Sequence, residues 1–429
     1  MTYEQTIDYL FTRLPMFSRI GSAAIKPDIT NTVALCNYLD NPQQKFKSVH
    51  IAGTNGKGSV SHMLAAVLQT AGYKTGLYTS PHLKDFRERI KVDGEMINKE
   101  FVTVFSAKIQ PAIEELDPSF FEITVAMAFD YFAEQRVDIA IVETGLGGRL
   151  DSTNIIHPEL AVITNIGWDH MNLLGDSLEK IAIEKAGIIK QNVPVVVGEI
   201  IPETKNIFEN AAADKNAPFT IASRVREAMN WQWDKHELVV EVATQHKTDH
   251  TMYRLDLPGL YQVKNLLTVL ETCSQLQQKG WKIDDSHIRK GVYHAKKLTG
   301  LHGRWEIVHH SPAVILDVAH NEDGIRQLLE QIELTEHSQV HFVLGMVKDK
   351  EIEKILALLP HTALYYFTQA HIPRAIDANR LQDRARVAGL QGHVYADVNE
   401  AIAVAKNKAA KNDLIIVCGS VFLVGEVEF

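Results

Sequence analysis

The chain has little cysteine. Cys36, Cys273 and Cys418 are the only three in 429 residues, and they stand far apart. That excludes a disulfide-stapled secreted scaffold and fits a reducing compartment. No uninterrupted apolar run reaches about 18 residues, so no membrane-spanning helix is expected. There is no basic excess either. Lys and Arg number 44 against 53 Asp and Glu, for a formal net charge of -9, which gives no electrostatic case for nucleic acid. The first residues carry Glu4 and Asp8 and lack a basic segment leading into an apolar one, so no signal peptide is expected. Internal repeats and low-complexity tracts are also missing. These absences lead us to expect a cytoplasmic, monomeric protein whose partners are small molecules, with no nucleic acid and no membrane among them.

What is present is an ordinary soluble composition, 45% hydrophobic and 23% charged, in a chain long enough for two or three cores. It is organised around one stretch. A strand-like run over 47–52 enters Gly53-Thr54-Asn55-Gly56-Lys57-Gly58-Ser59, and Ser61–Gly72 then reads as a helix. Glycines at these positions let backbone N–H groups turn inward around phosphate oxygens, and a helix start adds its dipole. Lys57 would reach the outer phosphates, and Ser59 or Thr54 could offer oxygen to Mg²⁺. The usual G-x-x-x-x-G-K-[ST] pattern has Ser or Thr directly after Lys, whereas here Gly58 intervenes. The competing reading is a glycine-rich turn with an incidental lysine. The strand–loop–helix order favours phosphate binding.

Before this stretch, residues 1–20 carry an amphipathic helical pattern, and Ile25–Leu39 reads as a second helix with Pro27 near its start. Lys26 and Asp28 read as surface residues at that start. After it, apolar strands repeatedly end in polar groups, as in α/β folds with a site at the carboxyl edge of a sheet. Tyr73–Ser80 ends in hydroxyls, with Ser80 a candidate metal ligand and His82 and Arg87 candidates for an acidic or heterocyclic substrate. Lys99–Leu116 reads as helical. Phe120 and Phe121 open another and can flank a flat ligand or fill a core. Val137–Val142 runs into Glu143, a metal-ligand candidate, and Arg149, suited to a phosphate or carboxylate. Ala161–Ile166 leads to His170, a Mg²⁺ ligand or orienting residue. Lys185 lies on a helix reaching Gly187, and an ammonium there cannot itself ligate Mg²⁺. Gln262 and Asn265, near the start of an apolar helix, can cap it or meet a nucleotide base. Trp231, Trp233 and Trp281 read as packing groups. A boundary is expected near 295–301. Beyond it Arg304, Asp317, His320, Asn321, Lys350 and Ser420 sit in a second α/β pattern, where they form either a site or a solvated surface.

The ordered set AGTNGKGS, TSPHL, FRERI, ETGLGGRLDSTN, GWDH, EKAGI, HGR, DVAHN, GMVKDK and CGS spans residues 52–420. In this combination the chain resembles the folylpolyglutamate synthases of the Mur ligase family, in particular the bacterial bifunctional dihydrofolate synthase/folylpolyglutamate synthase type. The resemblance implies an α/β fold with two domains. Residues 1–297 would be a P-loop nucleotide-binding ATPase domain with folate-side loops. Residues 298–429 would be a smaller Rossmann-like glutamate ligase domain. It implies ATP-dependent joining of L-glutamate to dihydropteroate, to reduced folylpolyglutamates, or to both, through an acyl phosphate. Gly53, Thr54, Asn55, Gly56, Lys57, Gly58, Ser59, Gln262, Asn265, Arg304 and His320 would bind ATP. Ser80, Glu143 and His170 would hold Mg²⁺. Lys185 would be carbamylated, presenting an anion toward the metal. Lys57, Lys185, Asp317 and His320 would be catalytic, and His82, Arg87, Phe121, Arg149, Asp317, Lys350 and Ser420 would face the substrates.

Two departures from the family pattern stand out: Tyr261 where His often precedes Gln262, and His302 where Pro often begins the P-G-R run. Two other functions share part of the signal. A Mur-type cell-wall ligase would use the same loop on a nucleotide-linked acceptor, and an inactive nucleotide-binding regulatory module would keep the loop alone. TSPHL, FRERI and the compact ETGLGGRLDSTN run favour folate, and the many polar strand exits favour catalysis.

Overall fold

A computed structural model describes residues 1–16, 19, 21–24, 26, 28–245 and 250–428. Ile25 and Pro27, at the start of the expected second helix, lie outside the described residues, and that helix is seen over Thr30–Tyr38. The chain forms two compact units. The first comprises Met1–Gly167, Met171–Asp256 and Tyr261–Leu301, and the second comprises Trp168–His170, Leu257–Leu260 and His302–Phe429.

The first unit is built on an eight-stranded sheet. Its strands are β1 Lys47–Ala52, β2 Thr75–Tyr78, β3 Ile90–Val92, β4 Glu95–Met96, β5 Ile139–Glu143, β6 Leu160–Ile163, β7 Val195–Val197 and β8 Phe219–Ile221, in the order β4-β3-β2-β5-β1-β6-β7-β8. The six strands from β2 to β8 in that order run parallel, while β3 and β4 add an antiparallel edge. Parallel strands covered on both faces must be apolar throughout. Accordingly β5 and β6 are buried at every position, and β1 at all but Lys47. One core, containing Phe129, Phe132 and Ile123, lies on one side of the sheet. A second, containing Ile163, Ala182, Val197 and Phe208, packs beneath β6 and β7. β1 lies between β5 and β6; the connection from β1 to β2 passes β5 toward one edge, and that from β5 to β6 crosses β1 toward the other. In α/β sheets ligands bind outside the carboxyl ends of the strands at such a switch point. A separate antiparallel sheet, β9 Arg226–Asp234, β10 Glu237–Thr244 and β11 His250–Leu255, carries the Trp231–Trp233 edge contact at 5.0 Å.

The second unit repeats the α/β logic. β12 Glu306–His310 pairs antiparallel with β13 Ala313–Leu316. β14 Val340–Leu344, β15 Leu364–Phe367, β16 Gly392–Val394 and β17 Leu414–Cys418 complete a sheet ordered β12-β13-β17-β14-β15-β16. Its core includes Phe342, Phe367, Leu328 and Ile416.

One expected helix needs correction and another is divided. The helix after the glycine loop begins at Lys57, not Ser61, and runs to Thr70. Gly56 turns the chain at φ 83° and its carbonyl already accepts the first helical bond, from Val60. The stretch expected to be helical over Lys99–Leu116 is helical, divided into Lys99–Lys108 and Gln110–Leu116. Pro111 has no N–H to continue the ladder and can sit only in the first turn of a new helix.

Candidate functional site

In the first unit the loop from Gly53 to Gly56 is braced from below by the exit of β6. Asn165 accepts the Thr54 amide on its carbonyl (3.0 Å) and the Asn55 amide on its side-chain oxygen (2.9 Å). The Thr164 hydroxyl donates to the Asn55 carbonyl at 2.6 Å. Thr54 Oγ1 donates to the Gly167 carbonyl and accepts from the Gly167 amide. Thr164 and Asn165 have no chemistry of their own to mark them in the sequence. Two glycines are obligatory. A Cβ on Gly53, at φ 148°, would fall 1.8 Å from Thr164 Oγ1, and one on Gly56 would fall 2.3 Å from Asn265 Oδ1. A 14-residue helix starts immediately beyond, so its first amides and dipole face the loop. Glycine cradle, helix start and lysine together fit a polyphosphate.

Lys57 donates to the carbonyls of Gly53 (3.1 Å) and Thr54 (3.2 Å). Lys185, buried at 4% exposure, donates to the same Gly53 carbonyl at 2.8 Å. Ser59 is buried as the third residue of the helix, and its hydroxyl accepts from Gln262, which in turn accepts from Asn265 (2.8 Å). The sequence left Gln262 and Asn265 open between capping and base contact. In the structure they brace the loop helix. Gly58 lies in the first turn of that helix.

Glu143 is the last residue of β5, not the first after it, and is buried. Its carboxylate accepts the Ser80 amide at 3.4 Å, which brings the two metal candidates of this unit together. Hydroxyl and carboxylate oxygens suit Mg²⁺, which keeps several of its waters and needs few protein donors. No group of three or more His, Cys, Asp or Glu able to hold a metal occurs among the described residues. His170, the third candidate, is grouped with the second unit.

Phe121 packs its ring against the Gly145 backbone, where an added Cβ would meet Cζ at 2.4 Å, and lies 6.3 Å from the Tyr78 ring. His82 stacks on Phe11 and accepts from Arg89 Nε at 2.8 Å. Burial, with the Arg89 charge beside it, holds its pKa down at about 3. Arg87 turns to Asp85 (2.7 Å) and lies over the Tyr3 ring. Arg149 reaches Glu184 at 2.8 Å, one residue before Lys185. The glycine run between Glu143 and Arg149 is shaped by Asp151, which accepts the amides of Gly145, Leu146 and Thr153. Burial pushes the Asp151 carboxyl up, against the pull of those bonds.

In the second unit Asp317 accepts the amides of Trp305 and Ala319, both at 2.9 Å, and so fixes the turn that carries Arg304. Glu306 clamps the same turn through the Gly303 amide and the His302 ring, each at 2.8 Å. Arg304 folds its guanidinium onto the carbonyls of Gly303 and His302. Ser420 caps the short helix Val421–Gly425 through the Phe422 amide.

The centre of this unit's site is Asp169, which the sequence showed only as part of GWDH. Its carboxylate pairs with Lys350, faces His320 Nε2 at 3.5 Å and accepts from Asn321 Nδ2 at 3.3 Å. Burial alone would raise its pKa. The Lys350 charge, followed by His170 and His320, outweighs burial and holds it well below the usual range. His170 lies 3.5 Å from Lys350 Nζ, and burial together with that ammonium holds its pKa at about 3.

Over most of its length the chain is similar to proteins of known family. The Mur ligase middle domain model matches residues 51–273, and the Mur ligase glutamate ligase domain model matches residues 303–421. The chain is 35% identical to a dihydrofolate synthase/folylpolyglutamate synthase of Bacillus subtilis, with 94% of each covered. It is 34% identical to the Escherichia coli protein of the same description, covering 88% of this chain and 85% of that one. An E. coli structure in complex with DHPP and ADP superposes with a TM-score of 0.84 at 30% identity, covering 99% of this chain and 96% of that one. A Thermotoga maritima folylpolyglutamate synthase superposes at 0.81 with 33% identity, covering 99% and 95%. Glycine loop, paired α/β units and matched motifs thus run the length of the chain, which belongs to the Mur ligase family, among its dihydrofolate and folylpolyglutamate synthases.

Proposed function

We propose that the protein is an ATP-dependent acid–amino-acid ligase that joins L-glutamate to dihydropteroate and to reduced folylpolyglutamates. The observation that carries this reading is the braced loop Gly53–Ser59, with the Lys57 and Lys185 side chains meeting on the Gly53 carbonyl. The activities of its relatives and the ADP bound in the E. coli structure support the nucleotide.

The reaction runs in two stages. The acceptor carboxylate attacks the γ-phosphorus of ATP, breaking the bond to the β-phosphate oxygen and releasing ADP. The glutamate amine then attacks the acyl phosphate, loses a proton and expels phosphate. The Gly53–Ser59 amides and Lys57 hold the phosphates in line and meet the charge that develops on the transferred group. In the first unit Ser80 and Glu143 would hold Mg²⁺, which when bound neutralises phosphate charge. Phe121 and His82 offer flat surfaces to the pterin, and Arg87 and Arg149 offer cations to acidic groups of the acceptor. Asp317 fixes the turn bearing Arg304, our nucleotide contact. His320, Lys350 and Ser420 are assigned to the amino acid and the transferring phosphate.

We assign Lys185 as a carbamate during turnover. The protein is taken as a cytoplasmic monomer acting on small molecules, supported by three buried free cysteines and the acidic balance. No helix among the described residues is long and apolar enough to cross a membrane. The test is incubation with ATP, Mg²⁺, glutamate and each acceptor. Glutamate-dependent ADP and amide product are expected, and their absence with every pteroate and folate would overturn the reading.

A further inference from the structure

We propose that Asp169 is a positioning residue for the ligation, fixing the Lys350 ammonium and the His320–Asn321 corner in one arrangement. The proposal rests on the reading above that Lys350 and His320 meet the reactants.

The side chains of Asp169 and Lys350 are 11% and 6% exposed, so neither charge is solvated. Both carboxylate oxygens are used. Oδ1 takes Lys350 Nζ and the His170 backbone amide (2.8 Å), while Oδ2 takes Asn321 Nδ2 and faces His320 Nε2. Lys350 follows β14, and His320 and Asn321 follow β13. These strands are not neighbours, because β17 lies between them. One carboxylate therefore ties together two strand exits that the sheet itself does not join.

The neighbouring acid cannot replace it. Asp349 is held by Arg374 through both oxygens, at 2.7 and 2.6 Å. The chain reaches Lys350 with Asp169 through a tight turn in which His170 takes φ +50°, a conformation uncommon outside glycine. A buried ion pair is weak evidence of stabilisation, since apolar replacements of similar volume often do as well. Its value here is geometric. Lysine has a long, freely rotating stem, and a paired ammonium is confined to one place. A reacting group displaced by about 1 Å can cost on the order of a hundredfold in rate.

The experiment uses the full-length chain. Asp169→Asn keeps the shape and removes the charge. Its kcat for glutamate ligation should fall about a hundredfold while KM for ATP stays within about threefold of wild type. Asp169→Asn should slow a Lys350→Met protein far less than the roughly hundredfold it costs wild type, because only the tie to His320 and Asn321 is left for it to break. An activity-independent reading is acylation of lysines by an amine-selective succinimidyl acetate, followed by peptide mass. Lys350 should be protected in wild type and labelled several-fold faster in Asp169→Asn. If Asp169→Asn fails to fold, the double variant against Lys350→Met makes the same comparison. Wild-type kcat in Asp169→Asn, fully multiplicative losses in the double variant, or unchanged Lys350 labelling would each overturn the proposal. Failure of wild type to ligate glutamate would overturn the functional reading instead, and the labelling result would still decide the role of Asp169.

Discussion

The Lys185 ammonium donates to the Gly53 carbonyl at 2.8 Å, and Lys57 donates to that same oxygen at 3.1 Å. Two like charges therefore converge on one acceptor beside the phosphate loop. Carbamylation would turn the buried member of the pair into an anion and remove the repulsion. Lys185→Ala should lower ligation by about a hundredfold to a thousandfold, with only a small change in melting temperature. Intact-protein mass measured with CO₂ retained should show the adduct on wild type. A fully active protein with unmodified Lys185 would contradict an essential carbamate.

The glycine loop gives a steric prediction. Gly53→Ala must displace Thr164, whose hydroxyl holds the Asn55 carbonyl. Gly56→Ala meets the more movable end of Asn265 but keeps a left-handed backbone, at a cost of about 1–2 kcal/mol. ADP titration should therefore rank wild type above Gly56→Ala and Gly56→Ala above Gly53→Ala. Equal affinities would show that the loop does not cradle phosphate.

At the head of the second unit His302 bonds Glu306, which also holds the Gly303 amide, so a side-chain bond restrains the turn carrying Arg304. His302 is half-exposed, so its loss should cost only about 0.5–1 kcal/mol. His302→Ala should raise KM for ATP a few-fold, roughly the factor those energies allow, and leave kcat unchanged. His302→Gln, which keeps a donor, should restore it. An unchanged KM would mean the turn holds Arg304 without His302.

Two histidines set an acid limit on the first unit. His50, bonded to Thr153 at 2.8 Å, and His82 are both held near pKa 3, chiefly by burial. Unfolded, each would titrate near 6.5. The unfolded chain thus binds more protons below that value. Stability from the neutral rings is complete above pH 6.5 and is lost as pH falls toward 3. Each ring can contribute up to about 1.4 kcal/mol per pH unit in that window. Urea midpoints at pH 7.5, 6.5 and 5.5 should decline, and His50→Gln should flatten the decline. A flat wild-type profile would contradict the burial argument.

Much of this was legible in the sequence because periodicity and strand exits are local. β1 occupies the stretch its apolar pattern marks, and Ser80, Glu143 and Asp317 do stand at strand ends. What stayed hidden depends on loop geometry and on partners that only folding brings into place. Asp151, Glu306 and Asp169 look like ordinary acids until folding gives them buried amides or an ammonium 181 positions away. The start of the loop helix at Lys57 was masked by Gly58, a poor helix former that the tertiary bonds of Ser59 and Gln262 override.

Ligation itself is the most direct measurement of the central claim. Purified protein is given ATP, Mg²⁺ and labelled L-glutamate, with dihydropteroate or a reduced folate as acceptor, and both ADP and labelled amide are followed. The account predicts one ADP per amide bond formed, product from each acceptor, and mutual competition between the two, as expected for one centre serving both carboxylates. ADP formation without amide, or no product from either acceptor, would contradict it.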